Sequence, residues 1–328
     1  MSTEERTLKL VGPTETFEID KDLTLVPRIK LNLTVYPSTP STLTNPIDEW
    51  KMKRALIDFL KTSHSLSLPE DDLQIKRFRD LKKRKRDDPV AAGTLRIWDL
   101  DFLEKGNGEF LEWRKHLVEN MDGIELNLEG VKFKLAVSLP VSDDFEGMKK
   151  AWEEFYAFQN RGFNRVNREP DTIILKGVPS RWFAEPRVSS KPSMLVTHTI
   201  FSTFGNIRNL YVAEDDDLGK DASENGGDLV SGLYCKIVVQ FEKYKDFHDA
   251  LSVLCSRSLQ KEGSRLKADY EVSWDKDGFF RNSRNQTKEM NGVASAVAAD
   301  HYRSEAPRRQ AYNSRHSPDN VRQRRFKE

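Results

Sequence analysis

Between Asp171 and Trp274 the apolar residues change period in a fixed order: strand, helix, strand, strand, helix, strand. Few folds accommodate that order. Asp171 to Pro179 is a β-branched run that ends in turn residues. Met194, Phe201 and Phe204 recur at helical spacing, and Gly205 is placed to stop that helix before the strand Ile207 to Val212. Leu233 to Phe241 predicts the next strand. Phe247, Ala250, Leu251 and Leu254 form a second helical stripe, and Leu266 to Trp274 alternates as a last strand. The expectation is an α+β fold of the split, ferredoxin-like βαββαβ plan.

Residues within these elements carry a family likeness. Ile173 to Val178 resembles the second ribonucleoprotein motif of the RNA-recognition motif (RRM). Phe201-Ser202-Thr203-Phe204-Gly205-Asn206-Ile207 resembles its helix-to-strand signature, and Val239-Gln240-Phe241 the tail of its first motif. More closely, Glu169-Pro170-Asp171-Thr172-Ile173 and Gly177-Val178-Pro179-Ser180-Arg181-Trp182-Phe183-Ala184 resemble the family of A-kinase anchor protein 17A, RRM proteins associated with splicing. The likeness extends, more weakly, over roughly residues 28 to 275. It implies a nuclear protein of pre-mRNA processing, with RNA and splicing-related proteins as partners. Vertebrate members continue into a long charged coiled coil and an Arg-Ser-rich tail, which have no counterpart here. Anchoring of cyclic-AMP-dependent protein kinase is therefore not carried over.

The first half repeats the plan. Ile29 to Tyr36 alternates cleanly, Asn45-Pro46 offers a helix start, and Trp50, Leu56, Ile57 and Leu60 make an apolar face. Strands are expected over Asp72 to Arg79 and Thr94 to Leu100, a helix over Phe110 to Met121, and strand again from Ile124 to Leu139. The predicted organisation is an arm over 1–27 with a hairpin at Thr16 to Leu25, a divergent RRM-like domain over 28–141, a linker helix over 142–164, an RRM over 165–276 and a disordered basic tail over 277–328. In the linker, Asp143 is the candidate N-cap with Glu146 three residues on. Trp152 and Phe155 share its apolar stripe and are expected to dock the two domains.

An RRM stacks bases on aromatic rings of its outer sheet face. Here the platform positions fall on Ile174, Lys236 and Val238, and none is aromatic. Period-two reasoning leaves Tyr211, Lys176 and Lys236 as the nucleic-acid contacts, with Val238 beside them and Glu271 opposing phosphate. Weak RNA contact and a protein-binding face both fit this set. The segment Glu214-Asp215-Asp216-Asp217 with Asp221, Glu224 and Asp228 is acidic, where phosphate calls for cations. Lys76, Arg77 and Arg79 are further candidate RNA contacts. Lys82, Lys83, Arg84, Lys85 and Arg86 read as a nuclear-import signal or as phosphate contacts. Trp182 and Phe183, just after the first RRM strand, fit either core or a partner pocket.

Across 328 residues, 53 Lys and Arg balance 52 Asp and Glu, so any nucleic-acid binding has to come from local patches rather than from net charge. No apolar run approaches the roughly 20 residues that span a bilayer. Cys235 and Cys255 sit inside predicted elements, which suits a reducing compartment. His64, His116, His198, His248, His301 and His316 are scattered, and no phosphate-binding glycine loop or paired Cys-any-any-Cys occurs. The expectation is a non-enzymatic protein with no cofactor, metal or small-molecule substrate; a kinase-signalling scaffold is the alternative class.

Overall fold

The computed structural model describes residues 11–38, 48–78, 88–103, 107–128, 130–159, 169–214 and 233–281. They form an α+β structure in which every sheet is antiparallel. Phe17–Asp20 (β1) and Leu23–Pro27 (β2) make the hairpin expected near the amino terminus.

The first sheet follows directly. Ile29–Pro37 (β3) buries Ile29, Leu31, Leu33 and Val35 and turns Lys30, Asn32 and Thr34 to the other face. Helix Glu49–His64 (α1) is capped by Asp48, whose carboxylate accepts the N–H groups of Trp50 and Lys51. The predicted cap Asn45 lies outside the described residues. Met52, Leu56 and Leu60 are the buried row of α1. Trp50, expected in that row, is 51% exposed, with the Arg54 guanidinium 4.8 Å above its ring. Leu73–Arg77 (β4), Ala91–Ile97 (β5), Asn107–Met121 (α2), Glu125–Leu128 (β6) and Val131–Ser138 (β7) complete this half. The strand order is β4-β5-β3-β7-β6, so the strand expected from Ile124 to Leu139 is a hairpin whose first arm adds an edge.

Helix Phe145–Gln159 (α3) leads to the second half. Its cap is Asp144 rather than the predicted Asp143: the Asp144 carboxylate accepts the Gly147 N–H at 3.1 Å, and its carbonyl accepts that of Met148. Trp152 is 2% exposed and lies edge-on to Phe145 and Phe247, while Phe155 is partly buried against Trp274. Both rings thus belong to the second core. They do not bridge two cores as expected, because Met148, Trp152 and Tyr156 form one stripe that the second sheet and its helices cover.

Thr172–Pro179 (β8), Met194–Phe201 (α4), Ile207–Glu214 (β9), Tyr234–Phe241 (β10), Tyr244–Leu254 (α5), Arg257–Lys261 (β11), Lys267–Ala268 (β12) and Glu271–Trp274 (β13) build the second half. Its main sheet has the order β13-β8-β10-β9. Helix α4 ends at Ser202, and Gly205 is not in a left-handed cap. A Cβ at Gly205 would stand 2.4 Å from Asp246, so the glycine serves close packing instead. The single strand predicted over Leu266 to Trp274 is divided. Lys267 and Ala268 pair with β11 in a separate sheet, β1-β2-β11-β12, and only Glu271–Trp274 joins β8. Through β2 the amino-terminal hairpin belongs to that small sheet, and Ile19, Leu23 and Leu25 enter the second core.

The reason for the break is Asp269. Arg28, fully buried between β2 and β3, pairs with Asp143 at 2.5 Å and with Asp269 at 2.9 Å. Asp269 also holds Arg96 at 2.6 Å and accepts the Ser258 hydroxyl. Arg114 of α2 donates to the Asp143 carbonyl and to Ser256, a buried residue in the left-handed region at φ 59°. First-half cations therefore converge on second-half oxygens through Asp143 and Asp269. Contacts set Met1–Lys276 apart from Asp277–Glu328, of which the described residues begin a turn with the Phe279 and Phe280 rings 5.2 Å apart.

Burial pushes the Asp269 carboxyl up, but Arg28, the Ser258 hydroxyl and Arg96 outweigh it and hold it at about 2 against an ordinary 3.8. The folded state favours its ionised form, so this stabilisation is present above pH ~5 and is lost as pH falls towards 2, about 2 kcal/mol in all. Urea unfolding across that range should show the loss, and Asp269→Asn should shrink the difference between pH 7 and pH 2 by a similar amount. Trp152→Ala should cost about 3–5 kcal/mol in the same measurement. Trp152→Phe, which keeps an aromatic ring in the same apolar stripe, should cost only about 1 kcal/mol.

Candidate nucleic-acid interface

The register of the second sheet decides what its outer face offers. Lys176 stands opposite Glu271, Ile174 opposite Ser273 and Val238, and Val238 opposite Tyr211. Gln240 lies between Thr172 and Asn209. Gly177, at φ 76°, lies where the β8–β10 register shifts, and the bulge brings Lys236 level with the Lys176 end of β8. Tyr211 is 41% exposed, and the two lysines are half-buried.

Two features limit this face. Val238, predicted as an open contact, is completely buried, so that position of the third strand presents no surface for a base. Its cross-strand partners are Ile174 on β8 and Tyr211 on β9. At one end the polar groups are committed to one another: Asn209 donates to Gln240, and Gln240 and Thr172 both donate to Asp171. Lys176, Lys236 and Tyr211 are the predicted contacts that the register does bring together.

The remaining predicted residues are dispersed. Lys76 is exposed on β4, and Arg77 donates its backbone N–H to Glu49. Arg79 and Lys82 to Arg86 lie outside the described residues, as do Asp215 to Asp217, Asp221, Glu224 and Asp228. Glu214 pairs with Lys191 at 3.2 Å. Phe183 is 1% exposed and stacks on Phe201, which makes it core; Trp182 is half-buried at the edge of that core.

Trp182 also lines a feature that sequence reasoning missed. A cleft of about 1220 Å³ opens between the outer face of the first sheet and the β8–β10 end of the second half. Gln74, Arg96 and Trp98 line one wall, with Asp71 and Asp72. Arg181, Trp182, Tyr234, Arg265 and Lys267 line the other. Trp98 is pinned in place: its indole N–H donates to Asp72 at 2.9 Å, and the Lys267 ammonium sits 4.0 Å from the ring centre. Burial pushes the Lys267 ammonium down, with Asp72 opposing. Arg181 and Arg265 are exposed and make no ion pair among the described residues. The available signal was the alternation of β5, where buried Leu95 and Ile97 leave Arg96 and Trp98 outward. Nothing local, however, showed that Lys267 would face them.

Among the described residues no cluster of His, Cys, Asp or Glu is arranged to hold a metal ion, and no helix is long and apolar enough to cross a membrane. Cys235 and Cys255 are both buried, and burial, with Asp143 adding to it, raises the Cys255 thiol well above its ordinary range.

Comparison with known proteins adds two findings. The family model described as AKAP-17A-like, RNA-binding domain matches residues 105–314, a span that contains α2, α3 and the whole second half. Human A-kinase anchor protein 17A is 30% identical over 199 residues, which cover 56% of this chain and 28% of that protein. The chain thus matches well under two thirds of its relative's length.

Proposed function

The chain belongs to the family of AKAP-17A-like RNA-binding domains, and we propose that it is a nuclear RNA-contacting protein that acts in pre-mRNA processing by binding rather than by catalysis. We read residues 28–141 and 165–276 as RRM-like folds in tandem, an interpretation supported by the strand order β13-β8-β10-β9 and by its counterpart β4-β5-β3-β7 in the first sheet. The observation that carries the proposal is the extent of the family match, which includes the entire sheet that gathers Lys176, Lys236 and Tyr211 on one face.

That face contributes weakly. With one aromatic ring and two lysines, one of them opposite Glu271, phosphate attraction outweighs base stacking. The buried Val238 favours a second reading, in which the same face serves splicing-related proteins as an adaptor surface.

Fluorescence anisotropy of the full chain with a labelled single-stranded RNA of mixed sequence tests the proposal. Binding should be salt-dependent, with each phosphate contacted adding about −0.7 to the slope of log K against log salt. Absence of binding at low salt would refute RNA contact. For localisation, a fluorescent fusion should be nuclear, and replacing Lys82 to Arg86 with Ala should move it towards the cytoplasm. Exclusion of the unaltered fusion from the nucleus would remove the nuclear part of the proposal.

A further inference from the structure

The cleft between the two halves has the chemistry that the outer sheet face lacks. We infer that it holds a short stretch of single-stranded RNA, with bases against Trp182 and Tyr234 and phosphates at Arg181 and Arg265. This rests on the RNA-binding reading above and assigns the principal contact to a different surface.

Four observations carry the inference. Tyr234 is 42% exposed and Trp182 half-buried, so both keep ring surface open to the cleft. Base–aromatic stacking is the largest sequence-tolerant contribution to single-strand binding. Arg181 and Arg265 carry charges not spent on ion pairs among the described residues, and a guanidinium binds phosphate through paired N–H donors. The acids along the cleft are largely engaged: Asp269 by Arg28 and Arg96, and Asp72 by the Trp98 indole. Exposed Asp71 and Gln74 are left to accept from base amino groups, which is how carboxylates and amides read base edges. Finally, at about 1220 Å³ the cleft exceeds the ~300–1,000 Å³ of an ordinary small-molecule pocket and suits successive nucleotides.

The first sheet extends the path. Gln74 lies opposite Thr94 and Lys76 opposite Ala92, so Lys76 is on the same face as Arg96, two residues further along β4. A strand leaving the cleft along this edge meets another cation. An acidic peptide would use the arginines but would leave the rings and Asp71 unmatched, so RNA is the better fit.

The test uses the full chain and a fluorescein-labelled 12-nucleotide RNA of mixed sequence. Arg181→Glu with Arg265→Glu should weaken binding by about tenfold or more, as should Tyr234→Ala by about tenfold, while Lys176→Ala with Lys236→Ala changes it less than about threefold. The altered cleft residues are exposed, and unchanged thermal unfolding would confirm that the fold survives. Photocrosslinking to RNA carrying 5-iodouridine should yield adducts at Trp182 or Tyr234. Adducts confined to Tyr211, or RNA affinity untouched by the cleft variants, would overturn the cleft assignment and leave the RNA-binding reading intact. Failure of the full chain to bind RNA at all would overturn both. Binding of a poly-glutamate peptide, lost in the arginine variant and not displaced by RNA, would give the cleft to a protein partner and overturn the inference.

Discussion

Arg28 is the point on which the two halves depend. Its guanidinium has lost all contact with water, and among the described residues the carboxylates of Asp143 and Asp269 and the Ser258 hydroxyl make that burial tolerable. Removing both carboxylates would leave a buried charge uncompensated, a defect that typically costs about 3–5 kcal/mol, whereas removing one leaves Arg28 a single acidic partner. Arg28 and its partners come from three separate parts of the chain, so the charge is satisfied only when all three are in place. That requirement fixes geometry more than it adds stability. It also explains why the last strand switches sheets at Asp269.

The cleft follows from the same joint. Arg96 and Asp269 are wall residues of the cleft and members of the Arg28 network, and Lys267, two residues before Asp269, covers Trp98. The joint thus sets the distance between the wall that carries Arg96 and Trp98 and the wall that carries Trp182 and Tyr234. A loosened joint would change the cleft before it changed either core, since each half has its own buried cluster.

On the second sheet, replacement of platform aromatics by Ile174, Lys236 and Val238 has a further consequence. Val238 is completely buried, and the charged positions on the face include an acid opposite a lysine. Such a surface offers a polyanion two lysines and a single ring, Tyr211. The cleft walls combine the rings and arginines that the sheet face is missing.

Sequence alone determined the elements, because they depend on short-range period. The alternation of Ile29 to Val35, the Phe247 to Leu254 stripe, and the outward row of Lys176, Tyr211 and Lys236 are all legible from residue spacing. The family likeness was equally local, held in runs such as Gly177 to Ala184. Tertiary structure decided the rest. That Trp152 serves the second core, that Asp143 is an ion-pair partner and not a helix cap, that β2 crosses to β11, and that Trp98 meets Lys267 all depend on contacts between residues more than ninety positions apart. Periodicity tells which side of an element is buried. It carries no information about which distant surface buries it, because apolar and charged side chains accept many partners and only the packing of the whole chain selects one.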